Sequence, residues 1–287
     1  MRLGRHLYNL YTTMAPSLDQ IVAATRRKLQ ENHASVDLRK LEDAACQHIP
    51  RGFRTALDLA RLNGPAIIAE LKKASPSRGL IRADFDVGAL AQQLETAGAT
   101  ALSVLTDEEF FQGSLEHLRL ASRATKLPCL RKDFIVDEIQ IVEARATGAD
   151  AILLIVAALS QSEMQALARR ANECGLDVLC EVHDAQELQR ALDAGCNLIG
   201  VNNRDLRTFK VDLNTAFQLA ELIPEATSRV AESGITNGAD IARLRTAGYH
   251  AFLIGESLMA ARSPGEALRG LIKESQQSQV PMMRTGG

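Results

Sequence analysis

The chain of 287 residues has almost no excess of either charge: 33 Lys and Arg stand against 35 Asp and Glu, a net charge of −2. Such a balance gives no global attraction for nucleic acid or an anionic membrane, so any anion site must be local. Long apolar runs are missing too. No stretch reaches the roughly 18 residues of a membrane span, and the residues before Met14 hold no continuous apolar segment of the signal-peptide kind. The five cysteines, Cys46, Cys129, Cys174, Cys180 and Cys196, form no C-x-x-C pair, and the six histidines are scattered without metal-ligand spacing. These absences lead to three expectations: reduced structural thiols, no metal and a cytoplasmic protein. No G-x-G-x-x-G occurs, which removes the dinucleotide fingerprint of an open doubly wound sheet.

What is present is a βα rhythm. Hydrophobic residues make up 46% of the chain, enough for a sizeable core. Eight short apolar, β-branched runs cover 66–72, 101–106, 128–134, 151–156, 177–182, 198–203, 229–235 and 251–258. Their starts lie about 21 to 35 residues apart, room for one helix and two loops. Thr96-Ala97-Gly98-Ala99, Ala146-Thr147-Gly148-Ala149, Asp193-Ala194-Gly195-Cys196 and Thr246-Ala247-Gly248-Tyr249 each precede a run within three residues. Glycine past a helix end and then a strand is the turn chemistry expected between α and β. Eight such units predict a (β/α)₈ barrel over residues 66–275. Residues 1–65 read as a helical extension that lids or plugs one end; Ser17 with Gln20 resembles a capping box, and Leu18, Ile21, Val22 and Leu29 mark one apolar face. Residues 1–13 show no pattern, and 276–287 read as a disordered tail.

In such a barrel the active site lies at the C-terminal strand ends. Reading each run to its end collects Glu70 and Lys72, Lys132, Glu181, Asn202, and Glu232 with Ser233. Alternation puts Glu70 and Lys72 on one face, where taken alone they are either a solvated ion pair or an active-site edge. Two lysines and three glutamates at one mouth would shift one another's pKa values and suit proton transfer. The runs 231–235 and 253–257 carry Gly234 and Gly255 at the ends of the seventh and eighth strands, where barrel phosphate sites are commonly built. A phosphorylated substrate follows. Residues 75–79 could form a flap; Phe111, Phe134 and Leu153 either belong to the core or supply an apolar slot for a ring. His183 reads as loop surface.

These motifs resemble one family. The segments Ala69-Glu70-Leu71-Lys72-Lys73-Ala74-Ser75-Pro76-Ser77, Leu130-Arg131-Lys132-Asp133-Phe134-Ile135, Glu181-Val182-His183-Asp184, Gly200-Val201-Asn202-Asn203-Arg204-Asp205-Leu206 and Ala231-Glu232-Ser233-Gly234-Ile235 are similar in order and spacing to those of indole-3-glycerol phosphate synthase. The resemblance runs from about residue 17 to 270. It implies a lyase of tryptophan biosynthesis that needs no cofactor, converting 1-(2-carboxyphenylamino)-1-deoxyribulose 5-phosphate to indole-3-glycerol phosphate with loss of CO₂ and water. By resemblance Lys132 is a general acid that pairs with the substrate carboxylate, Glu181 the base of the dehydration, and Lys72 an acid for the leaving hydroxyl. Glu70, Asn202 and Glu232 would orient these groups and the ribulose hydroxyls. Ser75 would belong to the substrate site, and Ser233, Gly234, Gly255 and the Glu256 amide would hold phosphate. Phe111, Phe134, Leu153, Arg204 and Leu206 would line the anthranilate end. Glu256 departs from members with a small residue there, and a carboxylate beside phosphate requires its side chain to turn away. The other readings are a different phosphate-binding barrel isomerase, a Schiff-base aldolase, or a non-catalytic sugar-phosphate sensor. A monomer without nucleic-acid or membrane partners is expected.

Overall fold

The computed structural model describes residues 16–32 and 37–278. Eight strands, β1 (Ala66–Leu71), β2 (Ala101–Leu105), β3 (Cys129–Lys132), β4 (Ala151–Ile155), β5 (Asp177–Val182), β6 (Leu198–Asn202), β7 (Ser228–Glu232) and β8 (Ala251–Ile254), pair in parallel and close on themselves. Each strand neighbours those before and after it in the chain. The ring closes where β8 pairs with β1, Ala66 opposite Ala251 and Ile68 opposite Ala101 on the other side. This is the (β/α)₈ barrel that the eight runs predict. The four helix-end glycines Gly98, Gly148, Gly195 and Gly248 all adopt left-handed φ, from 80° to 98°.

Alternation along the strands separates two cores. Ala66, Ile68, Ala101, Leu130, Ala151, Leu153, Leu179, Leu198, Val230 and Leu253 fill the lumen. Their chain neighbours, such as Ile67, Ala69, Cys129, Cys180, Ile199 and Ala231, pack outward against the helices. The same period carries Glu70, Lys132, Glu181, Asn202 and Glu232 into the lumen at its last layer. A one-residue slip would turn all five outward.

Three helices precede the barrel and serve both ends. α1 (Leu18–Asn32) opens with the reciprocal bonds of a capping box: Ser17 N–H donates to Gln20 Oε1 (2.8 Å) and Gln20 N–H to Ser17 Oγ (3.3 Å). Leu18 packs on the lumen residues and Val22 and Leu29 on the outer layer, while Arg26 reaches Glu163 at 2.8 Å. α2 (Leu38–Gln47) packs on the third of the helices that follow β1 to β5 in turn, α4 (Val87–Thr96), α5 (Leu115–Ala124), α6 (Glu138–Ala146), α7 (Gln161–Glu173) and α8 (Ala185–Asp193). α3 (Phe53–Ala60) seals the opposite end, with Phe53 and Leu57 fully buried beneath the lumen residues. Just ahead of it, Arg51 binds Asp150, at the entry to β4, at 2.6 Å, and the Arg54 N–H donates to Asp177 of β5 at 2.9 Å.

Three expectations need correction. The last strand ends at Ile254 rather than Leu258, because Glu256–Ala260 form a short helix. The final helix, Pro264–Gln277, runs past the boundary at 275, its face held by Leu268 and Leu271; residues 279–287, like 1–13, lie outside those described. Cys180 and Cys196 are joined by a disulfide, with Cα atoms 6.5 Å apart, instead of remaining reduced. The return of the chain through α8 (Ala185–Asp193) brings them together, a proximity that their sequence spacing does not reveal.

Candidate active site

The lumen-facing polar residues form two contact groups at one mouth, Glu70 with Lys72 and Lys132 with Glu181, Glu232 and Asn202. Lys72 Nζ lies 2.8 Å from Glu70 Oε1, and Lys132 Nζ lies 3.0 Å from Glu181 Oε2 and 3.9 Å from Glu232 Oε2. Asn202 Nδ2 donates to Glu181 Oε1 at 3.1 Å, and its own Oδ1 accepts the Arg204 N–H at 3.0 Å. Glu70, Glu181 and Glu232 are at most 4% exposed. Carboxylates so deeply buried are costly unless paired or used in chemistry.

Their ionisation divides accordingly. Burial opposes the charge on Lys132, but Glu181, Glu232 and Glu70 outweigh it and hold the ammonium above its ordinary pKa. Burial alone would raise the Glu181 carboxyl; Lys132, His183 and Asn202 bring it well below the usual range. Glu232 moves the other way, since burial and the neighbouring Glu181 charge exceed what Lys132 returns. Its Oε1 has no hydrogen-bond partner among the described residues. The mouth therefore offers a firm ammonium, a firm carboxylate and a carboxyl biased toward its neutral form.

Two glycines give these side chains their room. A Cβ on Gly200 would sit 2.1 Å from Glu232 Oε1, and one on Gly255 would sit 2.4 Å from Glu70 Oε1. Gly255 thus packs against Glu70 as well as lining the adjacent cavity wall, a placement that its strand-end position alone does not suggest.

The cavity above the cluster has an apolar and a polar side. Phe111, Phe134, Leu153 and Leu206 line the first, with the Phe111 and Phe134 rings 6.2 Å apart. Pro16, Leu18 and Ile21 from the α1 segment cover it. Ser233, Gly234, Gly255 and Glu256 line the second. Ser233 takes φ of 64° and Gly234 of 78°, a left-handed pair that is unusual for serine. Ser75 faces the cavity from the segment after β1, its Oγ 3.4 Å from Ser77 Oγ. Arg204 borders both sides. Glu256 does not turn away from the cavity: it pairs with Arg78 at 2.8 Å and Arg204 at 3.5 Å, which offsets its charge in place.

Other residues serve the site without standing out in the sequence. Ser103 Oγ donates to Glu70 at 3.5 Å. Asp107 Oδ1 accepts the N–H groups of Phe110 (2.7 Å) and Phe111 (3.2 Å), and Asp133 Oδ1 that of Phe134 (2.9 Å). The two rings are thus held by two aspartates at strand ends. Arg131, buried behind Lys132, fixes Asp133 from the outer face at 2.9 Å. His183 is not loop surface: only 14% of its side chain is exposed, and it sits between Glu181 (3.5 Å) and Glu187 (2.9 Å).

A closed (β/α)₈ barrel with acidic and basic side chains paired and buried at its C-terminal mouth has the architecture of a barrel enzyme. Among the described residues, no helix is long and apolar enough to cross a membrane, and no group of three or more His, Cys, Asp or Glu is arranged to hold a metal ion. Residues 18–271 match the family described as indole-3-glycerol phosphate synthase. Proteins named indole-3-glycerol phosphate synthase from Koribacter versatilis and Acidithiobacillus ferrooxidans are 59% and 49% identical, over 90% of this chain and 100% and 99% of their own lengths. The chain belongs to the indole-3-glycerol phosphate synthase family. Solved structures of a thiamine phosphate pyrophosphorylase from Pyrococcus furiosus and of KGPDC from Streptococcus mutans share the fold. Their TM-scores are both 0.57, at 17% and 15% identity, covering 77% and 75% of this chain and 99% of each of theirs.

Proposed function

We propose that this chain closes the pyrrole ring of indole-3-glycerol phosphate, a step of tryptophan biosynthesis, and that Lys132 and Glu181 are its principal acid and base. The observation that carries this reading is the buried 3.0 Å Lys132–Glu181 pair within reach of a cavity that is apolar on one side and lined by glycine backbone on the other. The substrate has the same polarity, with an aromatic ring at one end and a phosphate at the other. The ring would enter between Phe111, Phe134, Leu153 and Leu206, and the phosphate would meet the N–H groups around Ser233, Gly234, Gly255 and Glu256.

The chemistry follows from the residues in turn. Lys132 draws the substrate carboxylate and protonates the ribulose carbonyl as the carboxylate-bearing ring carbon attacks it. Loss of CO₂ restores the aromatic ring. Lys72, held by Glu70, then protonates the hydroxyl that leaves as water, and Glu181 removes the proton that completes the double bond. Asn202 orients Glu181, and Glu232, inclined to its neutral form, can donate a hydrogen bond to a ribulose hydroxyl. These steps call for no cofactor.

The alternatives fit less well. A Schiff-base aldolase needs a free neutral amine at Lys72 or Lys132, whereas Lys132 is held as an ammonium and Lys72 is paired with Glu70 at 2.8 Å. A barrel isomerase needs a free cysteine or aspartate pair facing the lumen; Cys129 packs outward with its thiol pushed up by burial to about 12, Asp133 is tied to Arg131 and Thr106, and Asp107 accepts the Phe110 and Phe111 N–H groups. Residues 1–65 act, in this reading, as an extension of the catalytic barrel, with α1 over the mouth and α3 under it. The protein would work as a cytoplasmic monomer on a small phosphorylated substrate, with neither nucleic acid nor membrane as partner. Purified protein given the carboxyphenylamino substrate should generate indole fluorescence; silence from well-folded protein would refute the proposal.

A further inference from the structure

We propose that His183 is a positioning residue for Glu181, an imidazolium strung between two carboxylates that keeps the base ionised and turned toward Lys132. The inference rests on the reading of Glu181 as the base. Its footing is geometric. His183 follows β5 directly, and its ring enters the gap behind Glu181, with Nε2 3.5 Å from Glu181 Oε1 and Nδ1 2.9 Å from Glu187 Oε2. Glu187 is itself fixed: its Oε2 also accepts the His183 N–H at 2.8 Å, and its backbone N–H donates to Asp184, the N-cap of α8, at 2.8 Å. The start of α8 is therefore built to clamp this ring.

A histidine between two carboxylates is charged unless burial prevents it. Burial does work against the charge, but Glu181 and Glu187 exceed it and lift His183 to about 10. The groups bearing on Glu181 are then Lys132 from β3, Asn202 from β6, Glu232 from β7 and His183 on its own strand end, with the Glu70 and Lys72 pair of β1 beyond Lys132. During turnover Lys132 must leave Glu181 to meet the substrate carboxylate. His183 is the cation that remains. It keeps Glu181 from taking up a proton before the dehydration step.

The test is the pH dependence of kcat in His183→Gln and His183→Asn. Loss of the positive charge raises the Glu181 pKa, so the acid limb of kcat should move to higher pH by about one unit, a tenfold loss at the acid end. Turnover should approach wild type above pH 8, and KM should change less than twofold. A limb that does not move, or a loss equal at every pH, would overturn the proposal. A second measurement needs no variant: the His183 imidazole of the intact enzyme, followed by NMR, should stay protonated through pH 8, and a neutral ring there would equally overturn it. Wild-type protein inactive toward the carboxyphenylamino substrate would instead sink the functional reading itself.

Discussion

Replacing Lys132 with methionine removes the ammonium while keeping an unbranched side chain of similar length in the lumen. In the native protein that ammonium contacts Glu181 at 3.0 Å and Glu232 at 3.9 Å. Two consequences can be sized. Removing a positioned general acid costs roughly 10²- to 10⁴-fold in rate, or about 3 to 5 kcal/mol of transition-state stabilisation, so kcat should fall by that factor. Stability should change far less than for an ordinary broken buried ion pair, because Glu181 keeps His183 and Asn202 as partners and Glu232 is already biased toward its neutral form. The residual activity should carry a signature as well: without Lys132 the Glu181 carboxyl rises, so the acid limb of the rate profile moves to higher pH. Steady-state assays from pH 5 to 9, with thermal unfolding on the same samples, check all three. Turnover within tenfold of wild type in a folded variant would refute the role assigned to Lys132.

Two further outcomes test the frame around the cluster. Gly200→Ala places a Cβ 2.1 Å from Glu232 Oε1 and 3.1 Å from Leu179 Cδ1; overpacking of this kind costs about 1 to 3 kcal/mol, and kcat/KM should drop at least tenfold in a protein that still unfolds cooperatively. Asp150→Ala leaves Arg51 and the Cys129 N–H, bound to Asp150 at 2.6 and 2.7 Å, without their shared acceptor at the closed end of the barrel. That loss should cost about 3 to 5 kcal/mol and lower Tm by on the order of 10 °C, with kcat at 25 °C unchanged. In the wild type, burial opposes ionisation of Asp150, but hydrogen bonds from His48, Arg51 and Cys129 hold its pKa below the ordinary value. Its contribution is therefore present above about pH 4 and is lost as the pH falls through its folded value, a slope that the variant should lack in acid titrations of stability.

The barrel was legible because each of its signals is local. Alternation marks Ile67 and Ile68 as members of opposite layers, the helix-end glycines mark where each strand begins, and the strand ends name Glu70, Lys132, Glu181, Asn202 and Glu232 without reference to any contact. Residues whose roles depend on partners distant in sequence were not legible. Nothing about Gly200 indicates that Glu232 occupies the space its side chain would take. Nothing near Glu256 in sequence marks Arg78 and Arg204 as the groups that offset its charge. His183 looked like loop surface since a polar residue after a strand usually is; Glu187, one helical turn on, is what draws it inside. The disulfide between Cys180 and Cys196 depends on the path of α8, which no spacing rule encodes. Glu256–Ala260 keeps the apolar character of the strand before it, so composition alone does not separate this short helix from β8.

The division of labour between Lys132 and Glu181 is open to a direct measurement: CO₂ release and indole formation followed separately in Glu181→Gln. If Lys132 drives ring closure and Glu181 serves only the dehydration, mixing this variant with the carboxyphenylamino substrate should release CO₂, while indole fluorescence stays at least a hundredfold below wild type. CO₂ and indole appearing together at the wild-type rate, or neither appearing in a folded protein that binds the substrate, would contradict it.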